Sequence, residues 1–439
     1  MKDLTKGSEI GALFSFSLPI LIGNIFQQCY NVADSIIVGR VLGKENLAAV
    51  GFCFQFQSIL VALSMGLTLG FGIVISHWMG EKETKQIQWA VEVGFSFALL
   101  VSIFVAMLGG AAEQIVSFFA VPKDTAPLAV LYLRVIFLGA IPCFLYNALT
   151  NIMRGLGDSV SPVYCLIAAT ILNIVLDLWF VAGLGWGIAG AAYATVLSQG
   201  GSFLSAFFLF RYRIKGYRVH LLWPWKKKEI LVRGLKIGIP SMLQQMLRSV
   251  GFLALQGRVN LFGSSCMAAY AAATKIDSFA QLPTFHFGQA LSNFTAQNLG
   301  AKREDRAKKG FRAALVLGWV VSGCLTVCVV PFASMWMRFF TTEAEVIAIG
   351  ESYLHIVALF YCLEATMQML NGILLGYEKP MVPLMSTLVS LILMQVPAAY
   401  VLSATELGYL GIWIAAPIGW LGGIAIRLYY YRKTVGKNQ

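Results

Sequence analysis

Charge is scarce in this sequence. Asp, Glu, Lys and Arg make up 12% of its 439 residues and hydrophobic residues 58%. A soluble globular domain carries about 25% charge, and no water-soluble fold of this length has interior enough to hide so much apolar surface. A soluble class is therefore excluded, and the bilayer is the solvent. Catalytic and nucleotide-binding fingerprints are missing too: there is no Walker A loop, no HExxH, no GxSxG and no dinucleotide-binding glycine pattern. With no clustered His/Asp or Asp/Glu site and no large ATP-hydrolysing domain, an enzyme or an ATP-driven pump is not expected, and no cofactor is called for. Cysteine forms neither a CxxC pair nor a Cys/His cluster. Cys29, Cys53, Cys143, Cys165, Cys266, Cys324, Cys328 and Cys362 lie in or beside apolar runs and read as small core hydrophobes, so no metal site is expected. The short alternating strands of a membrane barrel are absent.

What the sequence does have is length without charge. A hydrocarbon core of about 30 Å needs roughly 20 apolar residues in helix. Uncharged stretches cover 10–33, 46–76, 93–112, 135–153, 159–176, 188–210, 313–337, 380–405 and 407–426. Three further spans, near 234–262, 270–298 and 346–375, each hold an ionisable residue. The expected fold class is all-α integral membrane, with twelve transmembrane helices.

The formal net charge of +12 raises the question of nucleic acid, and its placement answers it. With twelve spans and both ends on one side, most Lys and Arg fall in loops on the terminal side. Lys82, Lys85, Lys302, Arg303, Arg306 and the dense segment from Arg211 to Lys236 are among them, whereas the opposite loops hold little beyond Arg40, Lys44, Lys123 and Arg338. Such asymmetry is the positive-inside rule, which places both termini in the cytoplasm of a multi-pass cell-membrane protein and leaves no role for nucleic acid. The halves also repeat in one register. Pro19 matches Pro240, Gly43 matches Gly263, Gly80-x-Lys82 matches Gly300-x-Lys302, Gly155 matches Gly376, and Gly187 matches Gly408. Six spans per half is an even number, so the two lobes should be related by a pseudo-two-fold axis along the membrane normal. The expected organisation is an N-lobe over 1–212, a basic linker over 213–233 and a C-lobe over 234–439.

An ionisable residue at the centre of a membrane helix costs at least ~2.5–3.5 kcal/mol, so each one needs a reason. Asp34 precedes Arg40, at the outer end of span 1, by six residues, and Asp177 precedes the turn at Gly183 by the same count; six residues are about 9 Å of helix. Thr195 on span 6 lies at similar depth, and Asn173 sits one turn below Asp177 on the same face. The repeat puts Leu255 and Ala398 opposite the two aspartates, so only the first half carries them. Two carboxylates held together away from water can share one proton and titrate as a unit. Arg248 and Glu364, near mid-membrane, either neutralise each other as a buried ion pair or meet substrate directly. Lys275 and Asp277, near the outer start of span 8, are expected to be solvated or to snorkel, and Arg134 in span 4 likewise. His286, beside Phe285 and Phe287, reads as a packing residue or a proton relay. Gly66-x-x-x-Gly70 permits close helix packing.

Gln28-Cys29-Tyr30-Asn31-Val32-Ala33-Asp34 followed by Val38-Gly39-Arg40-Val41-Leu42-Gly43 resembles the first-helix signature of multidrug and toxic compound extrusion (MATE) transporters. Ala296-Gln297-Asn298-Leu299-Gly300-Ala301 resembles the end of that family's eighth helix, and Arg154-Gly155-Leu156-Gly157-Asp158 its fourth–fifth connection. The resemblance implies a V-shaped central cavity and alternating-access export of organic cations and drugs in exchange for H⁺ or Na⁺, by a protein expected to be a monomer among membrane lipids. It resembles the DinF-like branch in particular, whose polar network is matched by Asp34, Asn173, Asp177 and Thr195. NorM-like members emphasise acids on helices 7 and 10; Glu364 fits the second, but Arg248 falls where the first would be, which counts against a C-lobe Na⁺ site and favours protons. On this resemblance the substrate cavity is expected to involve Gln28, Tyr30, Asn31, Tyr146, His286, Tyr361, Arg248 and Glu364. The alternatives are a Na⁺-coupled drug antiporter and a lipid-linked oligosaccharide flippase of the same superfamily; the latter tends to a basic central cavity and extra helices.

Overall fold

A peptide group inside a bilayer finds no water, so an apolar run closes its hydrogen bonds within itself as a helix. The computed structural model describes the backbone of residues 2–42, 44–119, 121–122 and 125–436, and the side chains of 2–28, 49–119, 121–122 and 125–435. Every regular element among the described residues is helical.

The chain divides into two compact units, one of Met1–Asp3 and Leu18–Met242, the other of Leu4–Ser17 and Leu243–Gln439. The helices of the first half are α1 (Glu9–Leu42), α2 (Lys44–Glu81), α3 (Thr84–Met107) with its continuation α4 (Ala112–Phe118), α5 (Ala126–Leu138) with α6 (Ala140–Gly155), α7 (Ser161–Asp177) and α8 (Gly187–Arg213). Those of the second half are α9 (Lys228–Asn260), α10 (Ser264–Gly300), α11 (Glu304–Val329) with short α12 (Ala333–Arg338), α13 (Ala344–Ala358) with α14 (Tyr361–Gly376), α15 (Met381–Thr387) leading to α16 (Val396–Leu402), and α17 (Leu410–Gly436). Nine helices among the described residues are long and apolar enough to cross a membrane, and α13 with α14, bent by 52°, makes a tenth. The more polar α9 and α10 complete the twelve spans, six to each half.

Each unit has its own core. In the first, Tyr132, Ile136, Phe144 and Val181 are buried together; in the second, Tyr270, Met337, Tyr353 and Trp413. Glycine sets the closest approaches in the first unit. A Cβ on Gly70 would collide with the Gly234 carbonyl oxygen and one on Gly66 with the Met242 backbone, so the Gly66/Gly70 pair faces the start of α9. Both fifth-position spans pass through a π-helical stretch, Leu178–Gly183 after α7 and Leu388–Gln395 after α15. Such wide turns often mark functional segments, and the first begins immediately after Asp177.

Candidate functional site

The polar residues of the first unit converge on α7. Asn173 and Asp177 lie one turn apart on it and Thr195 lies on α8, which packs against it. All three are 1% exposed. The Thr195 hydroxyl donates within its own helix to Ala191 O at 3.0 Å. Neither polar atom of the Asn173 amide has a hydrogen-bond partner among the described residues, an unusual condition for a buried amide. The side chains of Asp34, Tyr30 and Asn31 lie outside the described residues; Gln28 is half-buried.

Below this group lies a cavity of about 100 Å³, lined by residues of α1, α2, α6, α7 and α8. That is room for roughly three waters or one small ligand group. Asn24, Gln27, Tyr146, Asn147, Arg154, Asn173 and Gln199 are on its wall, which carries no carboxylate among the described residues. The wall is braced by hydrogen bonds between α6 and α2: Asn147 Nδ2 donates to Ser64 Oγ at 3.0 Å and Asn151 Nδ2 to Thr68 Oγ1 at 2.8 Å. The Tyr146 hydroxyl donates to Pro162 O at 3.2 Å. Of the residues expected around substrate, Tyr146 lines this cavity.

In the second unit the sequence expectations are partly corrected. Glu364 is 3% exposed, and neutral groups occupy both its oxygens: Thr284 Oγ1 donates to Oε2 at 2.9 Å and Gln368 Nε2 to Oε1 at 2.6 Å. No ion pair within 4.0 Å joins it to Arg248 among the described residues, so of the two readings of these residues the direct salt bridge is not seen. Asp277, expected to be solvated, is instead buried. It accepts from Gln281 Nε2 at 2.8 Å and the Tyr353 hydroxyl at 3.3 Å. The reason is that α10 begins at Ser264, before the apolar run read from sequence, and α13 packs along it. Tyr361 is buried, as is His286, whose Nδ1 lies 3.3 Å from Gln289 Oε1. Arg134, by contrast, is half exposed as expected and pairs with Glu113 at 2.6 Å. The cysteine reading holds for Cys53, Cys143, Cys165 and Cys266, which are buried; Cys324 and Cys328 are exposed on α11.

Sequence reasoning missed Arg427. The uncharged run of the last span stops at 426, yet α17 runs on to Gly436 and the guanidinium is wholly buried. Its Nη2 donates to Thr387 Oγ1 at 3.0 Å, and Gln244 Nε2 donates to the same oxygen at 3.0 Å. The signal was present in Arg432 and Lys433, which mark an interface more than one helical turn further on.

Two of the signature motifs have structural work. Asp158 accepts from the backbone N–H of Val160 at 3.1 Å and of Ser161 at 3.0 Å, fixing the start of α7. Gln297 Oε1 accepts from Leu4 N at 2.7 Å and Asn298 Nδ2 donates to Leu4 O at 3.2 Å, which ties the N-terminal segment to α10.

Comparison with known proteins agrees with this architecture. The MatE family profile matches twice, over residues 19–179 and 240–401, once in each half. The probable multidrug resistance protein YoeA of Bacillus subtilis (strain 168) is 30% identical over 447 aligned residues, spanning 99% of this chain and 96% of the relative. The multidrug export protein MepA of Staphylococcus saprophyticus is 25% identical, covering 84% and 80%. Among solved structures, the outward-facing conformation of a multidrug resistance MATE family transporter of the MOP superfamily superposes with a TM-score of 0.93 at 26% identity, over 100% of this chain and 98% of that one. A MOP superfamily transporter from Pyrococcus furiosus, described by the reverse polarity of its binding pocket, gives 0.90 at 26%, over 99% and 97%. Two copies of the family profile, six spans in each half and a relative aligned from end to end make this chain a member of the MatE family of membrane transporters.

Proposed function

We propose that this chain is a multidrug efflux transporter of the DinF-like branch, exporting organic cations across the cell membrane in exchange for protons, with both termini cytoplasmic. The ion-coupling group is Asp34, Asn173, Asp177 and Thr195. The observation that carries this reading is the buried Asn173 amide, without a partner among the described residues, on the wall of a polar cavity and one turn from Asp177. An amide in that position can turn toward a ligand below it or toward the carboxyl group above it. Proton and organic cation both neutralise a carboxylate, so in a low-dielectric site each weakens the binding of the other. Exchange then needs only that each ligand prefer a different state of the transporter. One proton entering for one monovalent cation leaving moves no net charge, so the pH difference drives that exchange; each proton moved beyond this ratio adds ~2.3 kcal/mol per 100 mV of membrane potential. The relatives named for multidrug resistance and multidrug export support the substrate class.

Dye uptake into inverted vesicles separates the coupling ions. A pH gradient alone should drive wild-type uptake and a sodium gradient alone should not. Asp34→Asn and Asp177→Asn should each reduce pH-driven uptake to the level of vesicles without transporter, at normal expression. Sodium-driven uptake by wild type, or wild-type rates in both variants, would overturn the reading.

A further inference from the structure

The segment between α8 and α9 lies against α3 in register. Arg218 N donates to Gln88 Oε1 at 2.9 Å, Gln88 Nε2 donates back to Arg218 O at 2.7 Å, and Leu222 N donates to Ser96 Oγ at 2.9 Å. Four extended residues cover about 13 Å, and the eight helical residues from Gln88 to Ser96 about 12 Å. The linker therefore runs straight along α3, and it ends beside a residue within the uncharged run 93–112. At that level α3 passes from polar surroundings into hydrocarbon. The side chains the linker leaves uncovered there are Leu221, Trp223 and Trp225, exposed by 70%, 59% and 52%. The two indoles lie against each other with ring centroids 5.1 Å apart. Lys227 is spent on the Trp89 ring, its Nζ 3.4 Å from the centroid, but Lys226 and Lys228 are exposed beside the indoles.

We propose that this corner of the first unit is a binding site for an anionic phospholipid. Trp223 and Trp225 sit at the boundary between headgroup and acyl chain, the depth tryptophan favours, and Lys226 and Lys228 hold the headgroup phosphate. A soluble partner does not fit, because the indoles lie level with the lipid-solvated part of α3. Glu92 on α3 and Glu229 at the start of α9 are outnumbered by Arg218, Lys226 and Lys228, and Glu92 is engaged by Gln88 Nε2 at 2.7 Å.

Native mass spectrometry of the full-length protein, with phosphatidylglycerol titrated against phosphatidylcholine, tests the site. Wild type should retain phosphatidylglycerol in preference, and the preference should fade as ionic strength rises. Each lysine near an anionic headgroup contributes about fivefold, so Lys226→Gln with Lys228→Gln should weaken retention about thirtyfold. Trp223→Ala with Trp225→Ala should weaken it with the charge intact. Lys308→Gln with Lys309→Gln, at the start of α11, should leave it unchanged. Equal retention of the two lipids by wild type, equal phosphatidylglycerol retention by wild type and the Lys226/Lys228 variant, unchanged retention in the tryptophan variant, or an equal loss in the α11 control would each overturn the proposal.

Discussion

Glu364 shows how neutral groups hold a carboxyl group inside a membrane protein: one oxygen faces the Thr284 hydroxyl and the other the Gln368 amide. A buried carboxyl oxygen left without its donor costs about 1–3 kcal/mol. Gln368→Leu removes the donor at 2.6 Å, and purified protein should melt a few degrees lower. An unchanged melting temperature would mean that another group already serves Oε1. At this scale the sequence is legible where depth decides. Asn173, Asp177 and Thr195 follow from counting helical rise to the nearest turn. Asp277 and Arg427 do not, because their burial depends on where α10 begins and α17 ends, and those limits lie in mixed sequence with no sharp break. The Asn173 amide shows the other limit: its place on α7 is readable from spacing, but its want of a partner among the described residues is a property of how those residues pack.

Helices in this fold pack through glycine, and α2 contains its own control. Gly70 faces the Gly234 carbonyl with no space for a methyl group, whereas a Cβ on Gly51, on the same helix, meets nothing within 4 Å among the described residues. The clash at Gly70 is with backbone, which cannot rotate aside, so Gly70→Val should separate α2 from α9, with a loss of several kcal/mol. Gly51→Ala should be neutral or stabilising by up to about 1 kcal/mol, since glycine is a poor helix former. Size-exclusion profiles and melting of the two variants make the comparison; similar behaviour would show that the α2–α9 contact yields. The Gly-x-x-x-Gly spacing announced close packing in the sequence, but the partner helix was not readable, because a groove of small residues accepts any ridge that fits. The existence of each span with an uncharged run was legible, though not its ends: α17 continues from the run 407–426 to Gly436. The more polar α9 and α10 were legible through the repeat, which supplies α1 and α2 as their counterparts.

Across the whole molecule the repeat is written in turns as well as in spans. Lys82 and Lys302 have φ of 62° and 57°, Gly157 and Glu378 of 88° and 56°, and Gly187 and Gly408 of 61° and 54°. After the first two pairs the same helix-closing bond follows: Glu83 N to Trp78 O and Arg303 N to Asn298 O, then Asp158 N to Met153 O and Lys379 N to Leu374 O. This is the left-handed helix cap, which glycine fits best. The halves differ where other contacts intervene. Gly157 cannot take a side chain because a Cβ there would meet the Lys2 carbonyl, whereas its counterpart Glu378 evidently can. At Lys82 and Lys302 both halves hold a non-glycine residue in a left-handed conformation, which is disfavoured by roughly 1–2 kcal/mol. The greater freedom of glycine in the unfolded chain offsets part of any gain, so Lys82→Gly and Lys302→Gly should each stabilise by about 0.5–1 kcal/mol. The two turns lie in different units and share no hydrogen-bond partner among the described residues, so the double variant should show the sum of the single effects. Thermal melting of the four proteins measures this. A double variant that departs from the sum would mean that the two turns are energetically coupled, and a loss in either single variant would mean that its lysine has a contact worth more than the strain of the turn.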